Sequence, residues 1–291
     1  MKLKRIEKIL VPVALTREGE IAVDQAVKFH SVFGSRIIVM TIIPGRSRFA
    51  RLLRGSDATE SAIARAKGRL EEFLLNIFDG EIPDYISTDV RCGGLINNII
   101  EASKEFASQL IIIKKSKRLI GKFAAFRRHN AEKLIGRAFC PILTINNDST
   151  AENVNNIVIP VDISKKTDTK MRWDIFIAKA FKAKITIISV LDINIDKRRS
   201  LAYRKAIAME EQLKNEGVSC EVLLITETKG KQADIFLKSA AQINPDMIMI
   251  MTGEKMMMFG EYIGPFAKDI IHHSVTPVIN VVPRVGSLFD V

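Results

Sequence analysis

Ile9-Leu10-Val11-Pro12-Val13 and Ile157-Val158-Ile159-Pro160-Val161 are one phrase written twice, an apolar run closed by Pro-Val. Pro12 and Pro160 stand 148 residues apart, and the apolar runs at 36–42 and 184–190 follow their openers at that same spacing. Each half also closes alike, on Cys140-Pro141-Ile142-Leu143 and on Thr276-Pro277-Val278-Ile279. Self-similarity at domain length implies duplication, so each half serves as a reference for the other.

Short β-rich apolar runs alternate with longer stretches of helical period, the signature of a parallel sheet covered by helices. In the first half the pattern predicts strands at 8–13, 36–42, 86–91, 110–114 and 141–145, and helices at 18–33, 57–78, 94–107 and 129–137. In the second half it predicts strands at 156–161, 184–190, 219–225, 246–251 and 277–282, and helices at 167–182, 197–216, 231–243 and 265–273. Right-handed crossovers then give an α/β fold of two tandem, doubly wound, parallel five-stranded sheets. The expected domains are 1–146 and 154–291, separated by the polar stretch Asn146-Asn147-Asp148-Ser149-Thr150-Ala151-Glu152-Asn153.

Length and composition agree with this division. A chain of 291 residues suits about two domains, and 47% hydrophobic with 26% charged residues is the balance of a globular protein. The longest apolar runs, at 110–113 and 247–251, are too short to cross a bilayer. The basic start Met1-Lys2-Leu3-Lys4-Arg5 leads to Pro12 and polar residues, not to a signal-peptide core, so a cytoplasmic protein is expected. Cys92, Cys140 and Cys220 have neither disulfide-framework nor zinc spacing. The net charge of +11 is uneven: residues 1–150 hold 25 Lys and Arg against 16 Asp and Glu, residues 151–291 hold 19 against 17. A basic surface attracts phosphates, acidic proteins and anionic membranes without choosing among them.

The two openers, five strands per half and the closing Cys-Pro-Ile-Leu resemble the universal stress protein family in its tandem form. The segments Ala131-Glu132-Lys133-Leu134-Ile135 and Ala267-Lys268-Asp269-Ile270-Ile271 resemble that family's last helix. The resemblance covers essentially the whole chain. It implies an adenine-nucleotide α-hydrolase-like fold and an intramolecular pseudo-dimer in which the final strands, 141–145 and 277–282, meet; a further homodimer is compatible with it.

Nucleotide-binding members carry an Asp directly after the first strand. After the fourth they carry a loop of Gly, two residues, Gly, nine residues, then Gly-Ser or Gly-Thr. Glycines let the backbone approach phosphates, and the helix that follows supplies N–H donors. By resemblance the second half keeps part of this site: Pro160, Val161, Asp162, Val190, Thr252, Gly253, Gly260, Gly264 and Phe266, holding ATP or another adenine nucleotide. Met256 stands at the second glycine, the span from Gly253 to Gly264 is two residues short, and Pro265 replaces the hydroxyl residue. The first half departs further, with Ala14 at the Asp position, Ser116 at the first glycine and Arg128-His129 at the final pair. Its basic loop offers Lys115, Lys117, Arg118, Arg127 and Arg128 as an anion or protein-partner patch.

Each feature also has a plainer reading. Asp162 can cap the helix after it, and Gly-Pro is ordinary helix-start chemistry. The Met256-Met257-Met258-Phe259 stretch can be an adaptable lid or a packed loop. The basic run from Lys114 can be a solvated face, with Phe123 and Phe126 anchoring it, and no nucleic-acid motif accompanies it. His272 and His273 lack a third ligand at metal spacing, and His273 matches a family position that suggests packing. No metal site and no catalytic constellation is predicted. The expected function is regulatory or protective binding of an adenine nucleotide. The alternatives are a nucleotide-free interaction protein with an unidentified regulatory partner, and a nucleotide hydrolase of the related superfamily with weak ATPase activity.

Overall fold

The first opener forms strand β1 (Lys8–Pro12), whose last four residues are buried, as a strand covered on both faces requires. The computed structural model describes residues 5–45, 57–115, 128–146, 153–161, 168–191, 200–226, 230–252 and 263–281. Within it β1 pairs in parallel with β2 (Arg36–Ile43), and β2 with β3 (Ile86–Cys92). On its other side β1 pairs with β4 (Leu110–Lys114), and β4 with β5 (Ile142–Ile145), giving the order β3-β2-β1-β4-β5. The second opener forms β6 (Asn156–Pro160), which lies between β7 (Lys184–Leu191) and β9 (Met247–Met251). With β8 (Cys220–Thr226) beyond β7 and β10 (Val278–Val281) beyond β9, the second order is β8-β7-β6-β9-β10. The chain divides between Thr150 and Ala151 into two compact units.

Helices α1 (Arg17–Phe33), α2 (Asp57–Ile77), α3 (Leu95–Glu105) and α4 (Arg128–Arg137) belong to the first unit. Helices α5 (Asp168–Phe181), α6 (Leu201–Asn215), α7 (Gln232–Ile243) and α8 (Pro265–His273) belong to the second. On α1 the residues Ala22, Val23, Gln25, Ala26, Phe29 and Phe33 recur at helical spacing and are buried. The helix stops at Gly34, whose φ of 65° is the left-handed turn that glycine takes without strain. Shifted by 148 residues, the same stripe on α5 buries Lys170, Met171, Trp173, Asp174 and Ile177. Full burial of Phe29 or Trp173 contributes about 2–3 kcal/mol each.

Both sheets use the same device at the amino end of their first strand. Gln109 Oε1 accepts from the backbone N–H groups of Glu7 (3.2 Å) and Lys8 (2.8 Å). Asp246 Oδ2 accepts from those of Asn155 (2.8 Å) and Asn156 (2.9 Å). The residue before the fourth strand thus fixes where the first strand begins.

The elements follow the expected ones with small differences. Helix α3 ends at Glu105, not 107, because Ala107 turns to a φ of 50°. Helix α6 begins at Leu201, not 197, with the Ser200 side chain accepting from Tyr203 N as its cap. Strand β1 ends at Pro12, although Val13 N still donates to Met40 O at 2.8 Å.

Candidate functional site

Strand order reverses between β6 and β9 in the second unit and between β1 and β4 in the first, so each sheet has one crevice at its carboxyl end. In the second unit Pro160 closes β6, and Val161, half-buried, donates its N–H to Ile188 O at 3.0 Å. Val190, also half-buried, lies near the end of β7 between two buried residues, Ser189 and Leu191. Thr252 continues β9: its N–H and its hydroxyl both donate to Val281 O, at 2.9 and 3.4 Å, so this buried side chain serves the neighbouring strand.

Gly264 stands at the head of α8 with φ −60° and ψ 154°, which any residue adopts, and Pro265 takes the first helical position. A Cβ built on Gly264 would meet none of the described residues within 4 Å. Neither backbone conformation nor packing against the described residues therefore demands glycine here. Phe266 is half-buried and its ring meets Phe236 edge-on at 5.9 Å, so it joins α8 to α7. Asp162, Gly253 and Gly260 lie outside the described residues, as does 256–259.

The first unit treats the same place differently. Thr41 Oγ1 donates to Val13 O at 3.1 Å, and Thr16 N donates to Ala14 O at 2.8 Å, folding the turn tightly onto α1. A Cβ on Gly19, in the first turn of α1, would fall on the Ala14 carbonyl oxygen. The position after the first strand is thus filled by backbone. Ser189, the counterpart of Thr41, is buried with no partner for its hydroxyl among the described residues, a difference that no single-residue pattern announces.

The solvated-face reading of the basic run fails at its first two residues. Lys114 pairs with Ile145 and Lys115 N donates to Ile145 O at 2.8 Å, so the strand ladder extends through both. They occupy the positions held in the second unit by Met251 and Thr252, and each is less than one-tenth exposed. Lys114 Nζ donates to the carbonyls of Asn146 (3.1 Å) and Lys115 (3.4 Å). Lys117, Arg118 and Arg127 lie outside the described residues, and Arg128 opens α4.

Cys140 is buried, Cys92 and Cys220 are half-buried, and all three are free thiols. Burial pushes the Cys140 thiol up to about 12 and also raises that of Cys220. His273 is exposed, and its Nδ1 donates to Asp269 O at 3.0 Å, within its own helix. Among the described residues no group of three His, Cys, Asp or Glu side chains could hold a metal ion. No described helix is long and apolar enough to cross a membrane.

No curated protein matches the chain in sequence. Solved structures do match in fold. A universal stress protein from Archaeoglobus fulgidus DSM 4304 is similar with a TM-score of 0.69 and 18% identity, over 97% of each chain. A functionally unknown protein from Pseudomonas aeruginosa PAO1 is similar with a TM-score of 0.64 and 19% identity, over 99% of this chain and 97% of that one. At such identities the likeness speaks to fold alone. The model of the universal stress protein family matches residues 5–146 and again residues 153–281. Two matches that together span nearly all of the chain, on two units of identical strand order, mean that it belongs to the universal stress protein family, with two such domains in tandem.

Proposed function

We propose that this chain is a cytoplasmic regulatory or protective binding protein that takes ATP or a related adenine nucleotide in its second unit, acting by binding and not by turnover. The observation that carries this reading is Gly264, a glycine that neither its backbone angles nor the described residues around it require. A ligand that must approach the backbone closely explains such a residue. In the first unit, by comparison of sequence, Ala14 stands at the Asp162 position and the turn after the first strand is folded down on Gly19.

On this reading Pro160 and Val161 shape the end of the first strand, and Asp162 accepts hydrogen bonds from the nucleoside. Val190 and Thr252 border it. Gly253 and Gly260 give the phosphate side its backbone freedom, and the N–H groups of Phe266 and Ala267 at the head of α8 face negative charge. Pro265 supplies no N–H, so fewer donors meet the phosphates and the nucleoside carries most of the affinity. AMP should then bind within about threefold of ATP. Equilibrium dialysis of the full chain with labelled ATP tests the reading, with Asp162→Ala expected to weaken binding at least tenfold. Absence of binding, or binding indifferent to that substitution, defeats it.

The buried lysines at the first unit's crevice favour a second role there. Lys115, with Lys117, Arg118, Arg127 and Arg128 after it, gives the first unit a cationic end suited to an acidic protein partner or a free anion. Reversing the charges of Lys117 and Arg118 should release a partner captured by the wild-type chain, and retention of that partner would count against this role.

A further inference from the structure

The two units end on strands of unequal chemistry. Strand β8 ends the order of the second unit and β3 that of the first, and among the described residues no strand pairs with the far side of either. The register fixes which backbone groups face that side. Ile185 pairs with Cys220 and donates its N–H to Ser219 O at 2.9 Å, so Glu221, Leu223 and Ile225 turn their N–H and C=O groups to β7. Bonding direction alternates along a parallel strand, so Cys220, Val222, Leu224 and Thr226 point theirs outward. In β3 Ile37 N donates to Tyr85 O at 2.8 Å, and by the same alternation Ile86, Thr88, Val90 and Cys92 point outward. An open row of donors and acceptors is a template for another strand.

Charge separates the two edges. Strand β3 carries Asp89 and Arg91, joined at 2.7 Å, and Arg91 also reaches Glu105 at 2.7 Å. Charged side chains on an edge strand guard it against pairing. Strand β8 instead carries four apolar residues in succession, Val222-Leu223-Leu224-Ile225, all half-buried. Its one charged residue, Glu221, is drawn towards β7 by Lys184 Nζ at 2.7 Å and Thr186 Oγ1 at 3.1 Å. Laid antiparallel in full overlap on the β8 of a second copy, Val222 meets Leu224, Glu221 meets Ile225, and Leu223 meets its own counterpart on the two-fold axis. The same overlap of β3 sets Asp89 against Asp89. Like charges directly opposite destabilise a strand pair.

We propose that the outer edge of β8 is a dimerisation surface, which takes the β8 of a second copy of this chain antiparallel across a two-fold axis, while β3 stays single. Each copy uses the same edge on the other, so the interface closes at two copies. The outward N–H and C=O groups of Val222 and Leu224 are exchanged between the strands, and Leu223 packs against Leu223 at the axis. The dimer needs no nucleotide, so it is tested apart from the reading of the second unit's crevice.

Native mass spectrometry and light scattering of the full chain, at tens of micromolar, test this. The wild-type chain should show a species of twice its 32.6 kDa. Leu224→Pro removes an outward N–H and spares the ladder to β7, as an edge strand allows. Symmetry deletes that bond twice, so the dissociation constant should rise at least tenfold. Val90→Pro, the same change on β3, should leave the dimer as it is. Leu223→Cys puts two thiols across the axis in a directly opposed pair with Cα atoms about 4.5 Å apart, within disulfide reach. Mild oxidation should then give a covalent dimer on a non-reducing gel that the wild-type chain does not give, and this decides the matter if the proline variant does not fold. A monomeric wild-type chain, a dimer that Leu224→Pro leaves intact or that Val90→Pro disrupts equally, assembly beyond two copies, or no covalent dimer from Leu223→Cys overturns the proposal.

Discussion

Replacing Gly19 with alanine should destabilise the first unit, although helix propensity predicts the opposite. Gly19 sits in the first turn of α1, where alanine gains about 1 kcal/mol over glycine in a helix that tolerates it. Here the added methyl would land on the Ala14 carbonyl oxygen and stand 3.2 Å from both Phe73 Cζ and Val13 Cβ. The two carbons can give way by a few tenths of an ångström. The carbonyl cannot, because Thr16 N bonds to it at 2.8 Å in the turn that starts the helix. Shifting that turn falls at the upper end of the roughly 1–3 kcal/mol that overpacking costs, so the net loss should be about 2 kcal/mol. Gly68 provides the control in the same unit: it is exposed on α2, and a Cβ there meets nothing within 4 Å. Gly68→Ala should therefore stabilise by about 0.5–1 kcal/mol. Urea unfolding followed by far-UV circular dichroism measures both. A Gly19→Ala midpoint that rises alongside that of Gly68→Ala would refute the reasoning about the turn.

Other consequences are open to measurement. Asp246→Ala strips two backbone N–H groups of their acceptor and should cost about 1–2 kcal/mol in urea unfolding, more than Gln109→Ala at the equivalent place, because the lost acceptor is charged. Equal costs would contradict the contribution of the charge. Trp173→Ala empties a fully buried site and should cost about 3–5 kcal/mol, with a loss under 1 kcal/mol arguing that α5 is loosely packed. Cys140, its thiol pushed up to about 12 by burial, should resist iodoacetamide at pH 8 in the folded chain, while half-buried Cys92 is modified. Peptide mass spectrometry reads this, and equal labelling of the two would contradict the burial of Cys140.

The strands were legible because the sheet is parallel and buried: runs such as Ile9–Val13 and Ile157–Val161 can be little else, and their repetition gives the register. What escaped is what depends on long-range partners. The clamps made by Gln109 and Asp246 act across 101 and 90 residues of chain, and no local pattern marks them. The Lys170–Asp174 spacing looks like an exposed i,i+4 pair, yet superposing the repeat on Ala22 and Ala26 would have placed it inward. Lys114 and Lys115 open a charge run, and only the ladder to Ile145 shows that they end a strand. Of the residues that the family resemblance put forward for a nucleotide, Pro160, Val161, Val190, Thr252, Gly264 and Phe266 fall at strand ends or the head of a helix. Thr252 and Phe266 have structural partners that sequence spacing did not reveal.

Calorimetric titration of the full chain with ATP tests most directly whether the two units have diverged at their crevices. One site per chain is expected, weakened at least tenfold by Asp162→Ala and untouched by Gly19→Ala in the other unit. Two equivalent sites, no heat of binding, or a single site that ignores Asp162 would contradict the account.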